Sequence, residues 1–264
     1  VKTRMLMVLL VLAEIGSPLD ASTHSNHGIQ QGNVTQFSLG KFGKSFSFDG
    51  LGDSVFVPDR PSLDINSSFS VSFWFKGNAS ITRGQPLVGK WNGTSNQIAW
   101  FADIAAPGGS CPSSSAINFY VSEDGGSSDR VYVRECGKTY QDNQWHLFTG
   151  VFKAGSSINL YVDGVSRGSV IGTTSTVNKV YTNNQSLQIG TGYQSFQYNG
   201  SIDDLLIFRR VLSRQEVLAL YNANSNNYAN TFSQVDGAVH TLRASAVNNM
   251  GVRNSTSLRT FRYL

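Results

Sequence analysis

The chain has 264 residues, 40% of them hydrophobic and 14% charged, with a formal net charge of +4. That length holds one large β domain with an appendage or two ordinary domains, and the charged fraction is well below the usual quarter. No cluster of Lys and Arg interleaves with aromatic residues, which argues against a nucleic-acid partner, and no apolar run reaches the roughly 20 residues of a membrane-spanning helix.

In chain order, the first feature is MLMVLLVLAEIGSPLDASTHSNHG, residues 5–28. Lys2 and Arg4 ahead of nine apolar residues, with Ala13 or Ala21 before a cut, fit a secretory leader. The same run, ended by a Gly-Ser-Pro turn, fits a strand buried on both faces. Beyond it nearly everything reads as strands: SFSFDG, SVFVPD, FSVSFWFKG, QPLVGKW, QIAWFADIA, INFYVSED, RVYVREC, WHLFTGVFK, SINLYVDG, QSLQIGTG and DDLLIFRRV, separated by Gly, Asn, Asp or Pro turns. In SVSFWFKG both alternating faces are bulky, as in a strand between two layers. NLYVDGVSRG is a hairpin turning at Asp163-Gly164. More than ten such strands predict a β-sandwich.

Cys111 and Cys136 flank the hairpin AINFYVSEDGGSSDRVYVREC. If residues 117–122 pair antiparallel with 130–135, both cysteines lie at one end, so a disulfide and an oxidising compartment are expected, the alternative being two unrelated buried thiols. LSRQEVLALYNAN is the one clear helix, opened by Ser213 and Glu216 as a capping box, with Val217, Leu220 and Tyr221 on one face. The Asn-rich NANSNNYAN after it marks the domain boundary, giving residues 1–222 and 223–264. The tail carries four arginines against Asp236 alone and alternates in HTLRASAV and LRTFRYL, two or three strands without a core of their own.

Residues 40–77 (GKFGKSFSFDGLGDSVFVPDRPSLDINSSFSVSFWFKG), 144–164 (QWHLFTGVFKAGSSINLYVDG) and 186–222 (SLQIGTGYQSFQYNGSIDDLLIFRRVLSRQEVLALYN) resemble a laminin-G-like domain of the concanavalin A-like lectin/glucanase superfamily. The resemblance extends over roughly residues 5–222. It implies that the apolar run is retained as a first strand, with Glu14, Gly16-Ser17, Asp20, Ser22 and Asn26-His27-Gly28 in the places the family fills after it. A chain opening at Val1 is then expected to be a section of a longer protein. DGAVHTLRASAVNNMGVRNSTSLRTF, residues 236–261, resembles the closing strands of an immunoglobulin-like module of prokaryotic surface proteins. The expected fold is therefore all-β: a concanavalin A-like jelly-roll β-sandwich with one short C-terminal helix, plus a few immunoglobulin-like strands.

Chemistry is sparse. A glycosidase needs two carboxylates about 5–9.5 Å apart, but the four glutamates (Glu14, Glu123, Glu135 and Glu216) form no such motif, and Asp203-Asp204 point to opposite faces of a strand. No enzyme is expected. His24 and His27 lack a second ligand cluster. Calcium, which takes carboxylate and backbone oxygens, is the cofactor expected, at Asp49 and Asp53 of FDGLGD and Asp203 and Asp204 of GSIDD, where relatives with calcium draw ligands from rim loops. The alternative is that the second pair meets Arg209 or Arg210 and Asp49 makes a turn. For sugar recognition, Trp91, Asn92, Asn96 and Gln97 in one loop and Tyr193, Phe196 and Tyr198 in another supply aromatic faces beside neutral hydrogen-bonding groups; packing between loops is the alternative. Sequons start at Asn33, Asn66, Asn78, Asn92, Asn184, Asn199 and Asn254, a mild excess over chance that leans towards a secreted glycoprotein.

These residues and the resemblance lead to a non-catalytic recognition or adhesion module of a cell-surface protein, extracellular, with a glycan or surface polymer as partner. The second possibility is a structural subunit of a surface layer or filament, copies pairing through the C-terminal strands. A polysaccharide-active enzyme is third.

Overall fold

In the computed structural model of the chain the described residues are 7–12, 17–37, 39–78, 83–91, 96–107, 111, 115–127, 130–172, 177–192 and 196–225, with 239–242, 245–247, 253–255 and 259–262 in the tail. The first strands are Met7–Leu12 (β1), Leu19–Asp20 (β2), Ile29–Gln31 (β3), Thr35–Phe37 (β4), Ser45–Asp49 (β5), Ser54–Val57 (β6) and Phe69–Gly77 (β7). Gln85–Lys90 (β8), Trp100–Ala105 (β9), Ala116–Ser122 (β10), Arg130–Cys136 (β11), His146–Lys153 (β12) and Ser157–Val162 (β13) follow. Val165–Arg167 (β14), Ser169–Gly172 (β15), Leu187–Ile189 (β16) and Asn199–Phe208 (β17) lead to the helix Arg214–Ser225 (α1).

These strands make two antiparallel sheets. One runs β14-β13-β12-β7-β17-β1-β2 and also holds β5 and β4; the other runs β15-β11-β10-β9-β8-β16-β6-β3. The long β17 serves two neighbours on one edge, because a bulge interrupts it: residues 199–202 pair with β5 and 205–208 with β1. Asp204, at the bulge, has a positive φ of 47°, the local departure that lets an extra residue stand out of register.

Alternation builds the core. Phe69, Val71, Phe73 and Phe75 of β7 all turn inward and are fully buried. Phe69 meets Trp100 and Phe119 of the opposite sheet at 5.5 and 5.9 Å, and Phe73 stacks on Phe148 at 4.8 Å. The other face of β7 is buried as well, as its bulky residues predict. Leu212 and Val217 pack with Val151 and Phe208, and Tyr221 of α1 lies 6.0 Å from the Trp74 ring. The capping box is formed in both directions: the Ser213 N–H donates to Glu216 Oε2 at 2.8 Å and the Glu216 N–H to Ser213 Oγ at 3.2 Å.

The opening apolar run is built into the first sheet as β1. The Asp20 carboxylate accepts from the Ser22 and Asn26 N–H groups at 2.8 Å each, and Asn26 Nδ2 donates to the Val8 carbonyl at 2.8 Å, so the polar segment after the run holds it in place. Asp163 and Gly164 turn β13 into β14 with φ of 55° and 74°, as an Asp-Gly turn requires. Cys111 and Cys136 are joined, their Cα atoms 5.7 Å apart, at the base of the β10–β11 hairpin.

Residues 1–226 and 227–264 are separate compact units. In the second, Val239–Leu242 (β18) pairs with Arg259–Arg262 (β21) and Ser245–Val247 (β19) with Arg253–Ser255 (β20).

Candidate functional site

The outer face of the second sheet carries two rows of side chains set by strand register. Asn118 of β10 is opposite Asp103 of β9 and Arg134 of β11; two residues along, Tyr120 is opposite Phe101 and Tyr132. The residues between them, Ala102, Phe119 and Val133, point into the core, so period-two alternation puts aliphatics inside and this polar and aromatic set outside. Phe101 and Tyr120 stack at 4.2 Å, Tyr120 and Tyr132 at 4.7 Å, and Trp91 extends the row 4.6 Å from Phe101. Gly89 sits opposite Phe101, where a Cβ would come within 2.5 Å of the Phe101 Cβ; only glycine leaves the ring its place.

The polar row is a connected chain. Asn118, fully buried, donates Nδ2 to Asp103 Oδ1 at 2.7 Å and accepts from Arg134 Nε at 2.7 Å. A second Arg134 nitrogen donates to the Tyr120 hydroxyl at 3.0 Å. The guanidinium carbon of Arg134 is 5.1 Å from the Tyr132 ring centre, and that of Arg130 is 5.1 and 5.8 Å from those of Tyr120 and Tyr132. Removal from water pushes the Asp103 carboxyl up to about 6, against the opposing pull of the Asn118 hydrogen bond and of Arg134 and Arg130. Burial, with the Asp103 charge, likewise raises the Tyr120 phenol, which stays protonated at any physiological pH.

A cavity of about 410 Å³ opens over this face. Phe101, Tyr120, Trp91 and Phe196 give it apolar walls; Asp103, Arg130, Asn96, Ser127 and Thr191 give it hydrogen-bonding groups. Apolar surface with a few placed polar groups is the usual make-up of a small-molecule site; Phe101 and Tyr120 are only 7% and 5% exposed and form its floor, while the half-buried Trp91 and Phe196 beside amide, hydroxyl and guanidinium groups suit a sugar ring's two kinds of surface. Residues 48–218 match the family described as the concanavalin A-like lectin/glucanases superfamily. The chain belongs to that superfamily.

Several solved structures share this superfamily fold. The binding domain of paraclostridial mosquitocidal protein 1 superposes with a TM-score of 0.67 at 14% identity, over 94% of this chain and 63% of that one. The binding domain of botulinum neurotoxin DC, solved in complex with SialylT, gives 0.62 at 16% identity, over 83% of this chain and 52% of that one. Domain 4 of AbnA, an extracellular GH43 arabinanase from Geobacillus stearothermophilus in complex with arabinotriose, gives 0.62 at 21% identity, over 81% of this chain and 98% of that domain. The chain thus spans under two thirds of the two toxin domains. No curated protein sequence matches it. The superfamily match ends at residue 218, and the immunoglobulin-like character expected of the tail finds no support.

Of the residues expected to bind sugar, Trp91 and Phe196 both line the cavity, as does Asn96. Asn92 and Tyr193 lie outside the described residues. Tyr198 does not reach the surface: just ahead of β17, with its N–H donating to the Gly190 carbonyl at 2.8 Å, it is fully buried, 6.1 Å from Phe48. The Gln97 carbonyl accepts from Asn183 Nδ2 at 2.6 Å and fixes a loop.

The four carboxylates expected to hold calcium are not gathered. Asp49 is opposite Asn199, four residues and about 13 Å of extended chain from Asp203. Asp53 is buried and accepts from the Asn33 and Asp49 N–H groups at 2.5 and 3.0 Å. Asp203 accepts from the Phe42 and Asp204 N–H groups at 3.1 and 2.9 Å, and Asp49 from the Leu51 N–H at 2.7 Å. Asp49 holds its own turn, while Asp53 and Asp203 tie down backbone of distant segments, and no group of three His, Cys, Asp or Glu side chains suits a metal among the described residues. Of the sequons, Asn33, Asn66, Asn78 and Asn184 are exposed and Asn199 is half-buried; Asn254 lies in β20.

Phe101, Asp103, Asn118, Tyr120, Arg130, Tyr132 and Arg134 are not among the residues expected from the sequence. Their signal was present in WFADIA, INFYVS and RVYVREC, where aromatic or charged residues alternate with aliphatic ones. What was lacking was the register that brings the three strands side by side.

Proposed function

We propose that the chain is a non-catalytic carbohydrate-binding module that works outside the cell and takes its glycan in the cavity over β8–β11. The observation that carries this is the cavity itself, where Trp91 and Phe196 stand beside Asp103 and Arg130, backed by the ring stack through Phe101, Tyr120 and Tyr132 and by the Asp103–Asn118–Arg134 chain. The arabinotriose on AbnA domain 4 and the SialylT on the neurotoxin domain support the reading, since both proteins share this fold. Asp103 is the one carboxylate lining the cavity among the described residues, which speaks for binding over a two-carboxylate hydrolysis. The Cys111–Cys136 disulfide supports an oxidising, extracellular setting.

A glycan array probed with the wild-type chain and with Trp91→Ala, each with calcium and with EDTA, tests the proposal. Withdrawing a stacked face of about 60 Å² costs about 1.5 kcal/mol, so Trp91→Ala should weaken binding about tenfold. Binding that is unchanged in Trp91→Ala would place the glycan elsewhere, and hydrolysis of the array sugars would reinstate an enzyme. Loss of binding in EDTA would add the calcium that the acidic turns led us to expect.

A further inference from the structure

We propose that the cavity selects acidic glycans, with Arg130 receiving the anionic substituent of a sugar whose ring lies against the aromatic row. This rests on the carbohydrate-binding proposal and goes further by naming the class of sugar.

Arg130 opens β11 opposite Ser122 and lines the cavity. Its guanidinium lies over Tyr120 and Tyr132. The ion pairs among the described residues are those of Lys90, His146, Arg167 and Arg210; Arg130 is in none of them. Four residues along the same strand and on the same face, Arg134 spends its donors on the neutral Asn118 and Tyr120. Among the described residues two cations therefore border the face against a single carboxylate, Asp103, and an arginine outside those ion pairs, set against an apolar wall, is a strong attractor for a carboxylate or sulfate. A neutral sugar would leave Arg130 with only the field of Asp103, whereas a uronic acid would supply a directly bonded anion in the same cavity.

Asp103 makes the preference pH-dependent. The groups facing it are Asn118 and Tyr120 of β10 and Arg130 and Arg134 of β11, with Pro86 of β8 on its other side. Asp103 repels an incoming anion while ionised. As pH falls through about 6 its carboxyl is neutralised, and the two arginines act on the ligand unopposed, while a sugar carboxylate of ordinary acidity stays charged.

Equilibrium binding should be measured for oligogalacturonates, for sulfated galactan oligomers and for neutral arabino- and xylo-oligosaccharides of matched length, near pH 7.5 and near pH 5. A charge-assisted contact gives about tenfold or more, so at least one anionic series should bind that much tighter than the neutral ones; which of the two does so identifies the anion. The preference should strengthen near pH 5, collapse in Arg130→Gln and persist in part in Arg130→Lys, which keeps the charge. Equal affinity for neutral and acidic oligomers, or a preference that survives Arg130→Gln, would overturn the inference while leaving the binding function standing. Binding of none of these glycans, or of any on the array, would overturn both.

Discussion

Lys90 carries a charge in a place where charges are costly. Its side chain is 2% exposed, and its ammonium donates to Asp59 at 2.6 Å, to Asp64 at 2.8 Å and to the Asn183 carbonyl at 2.8 Å. Two carboxylates and a carbonyl surround it as they would a small cation, and together they fix the loops around residues 59–64 and 183, at the β8 end nearest Trp91. The carboxylates are about a third exposed, so they rehydrate in part if the lysine is lost. Lys90→Met should therefore lower unfolding free energy by about 1–3 kcal/mol, less than a wholly buried pair would cost. A urea titration checks this, and an unchanged midpoint would mean that the loops are held by other contacts.

At the scale of the element, the β10–β11 hairpin is the unit that matters for binding, since it brings Asn118, Tyr120, Arg130, Tyr132 and Arg134 to one face. Its open end is closed by Cys111 and Cys136, 25 residues apart in sequence. A loop of that length confines the unfolded chain by about 2–4 kcal/mol. Replacing both cysteines by serine should cost that much in a denaturant titration and should weaken glycan binding as well, because the hairpin base is then less restrained; stability equal to the wild type would remove the disulfide from the account. Much at this scale was legible in the sequence. The capping box at Ser213 and Glu216, the Asp163-Gly164 turn and the two-sided burial of β7 follow from local chemistry that any neighbour would respect. Tyr198 was not legible, since a loop-like context of Gly, Gln and Asn hid a residue that turns inward just before β17. For the four aspartates expected to hold calcium, sequence alone does not separate the two roles, because an aspartate that bonds backbone N–H groups and one that holds a metal look the same in a sequence.

For the whole molecule, several groups hold their protons more tightly folded than unfolded. Burial first, then the neighbouring Asp204, pushes Asp203 up to about 7; Asp103 is pushed up to about 6. At His146, burial works against the charge, but Asp163 and Asp142, hydrogen-bonded to its two ring nitrogens, outweigh it and raise the pKa. In all three the folded value lies above the unfolded one, so between about pH 4 and 7 the folded chain binds more protons and stability falls as pH rises. Unfolding free energy should drop by roughly 2–4 kcal/mol from pH 5 to pH 8; a flat or rising profile would show that these sites are wetter than the structure has them. The sandwich itself followed from the count and spacing of the strands. The binding face did not, since three strands, each unremarkable alone, make it only when paired. Its most direct test is a two-dimensional NMR titration of the isotopically labelled chain with an oligosaccharide that the array identifies. With the glycan in the cavity, the amide shifts should concentrate in residues 86–91, 98–103, 118–122 and 130–134. Shifts confined to the opposite sheet, or to residues 227–264, would contradict that placement.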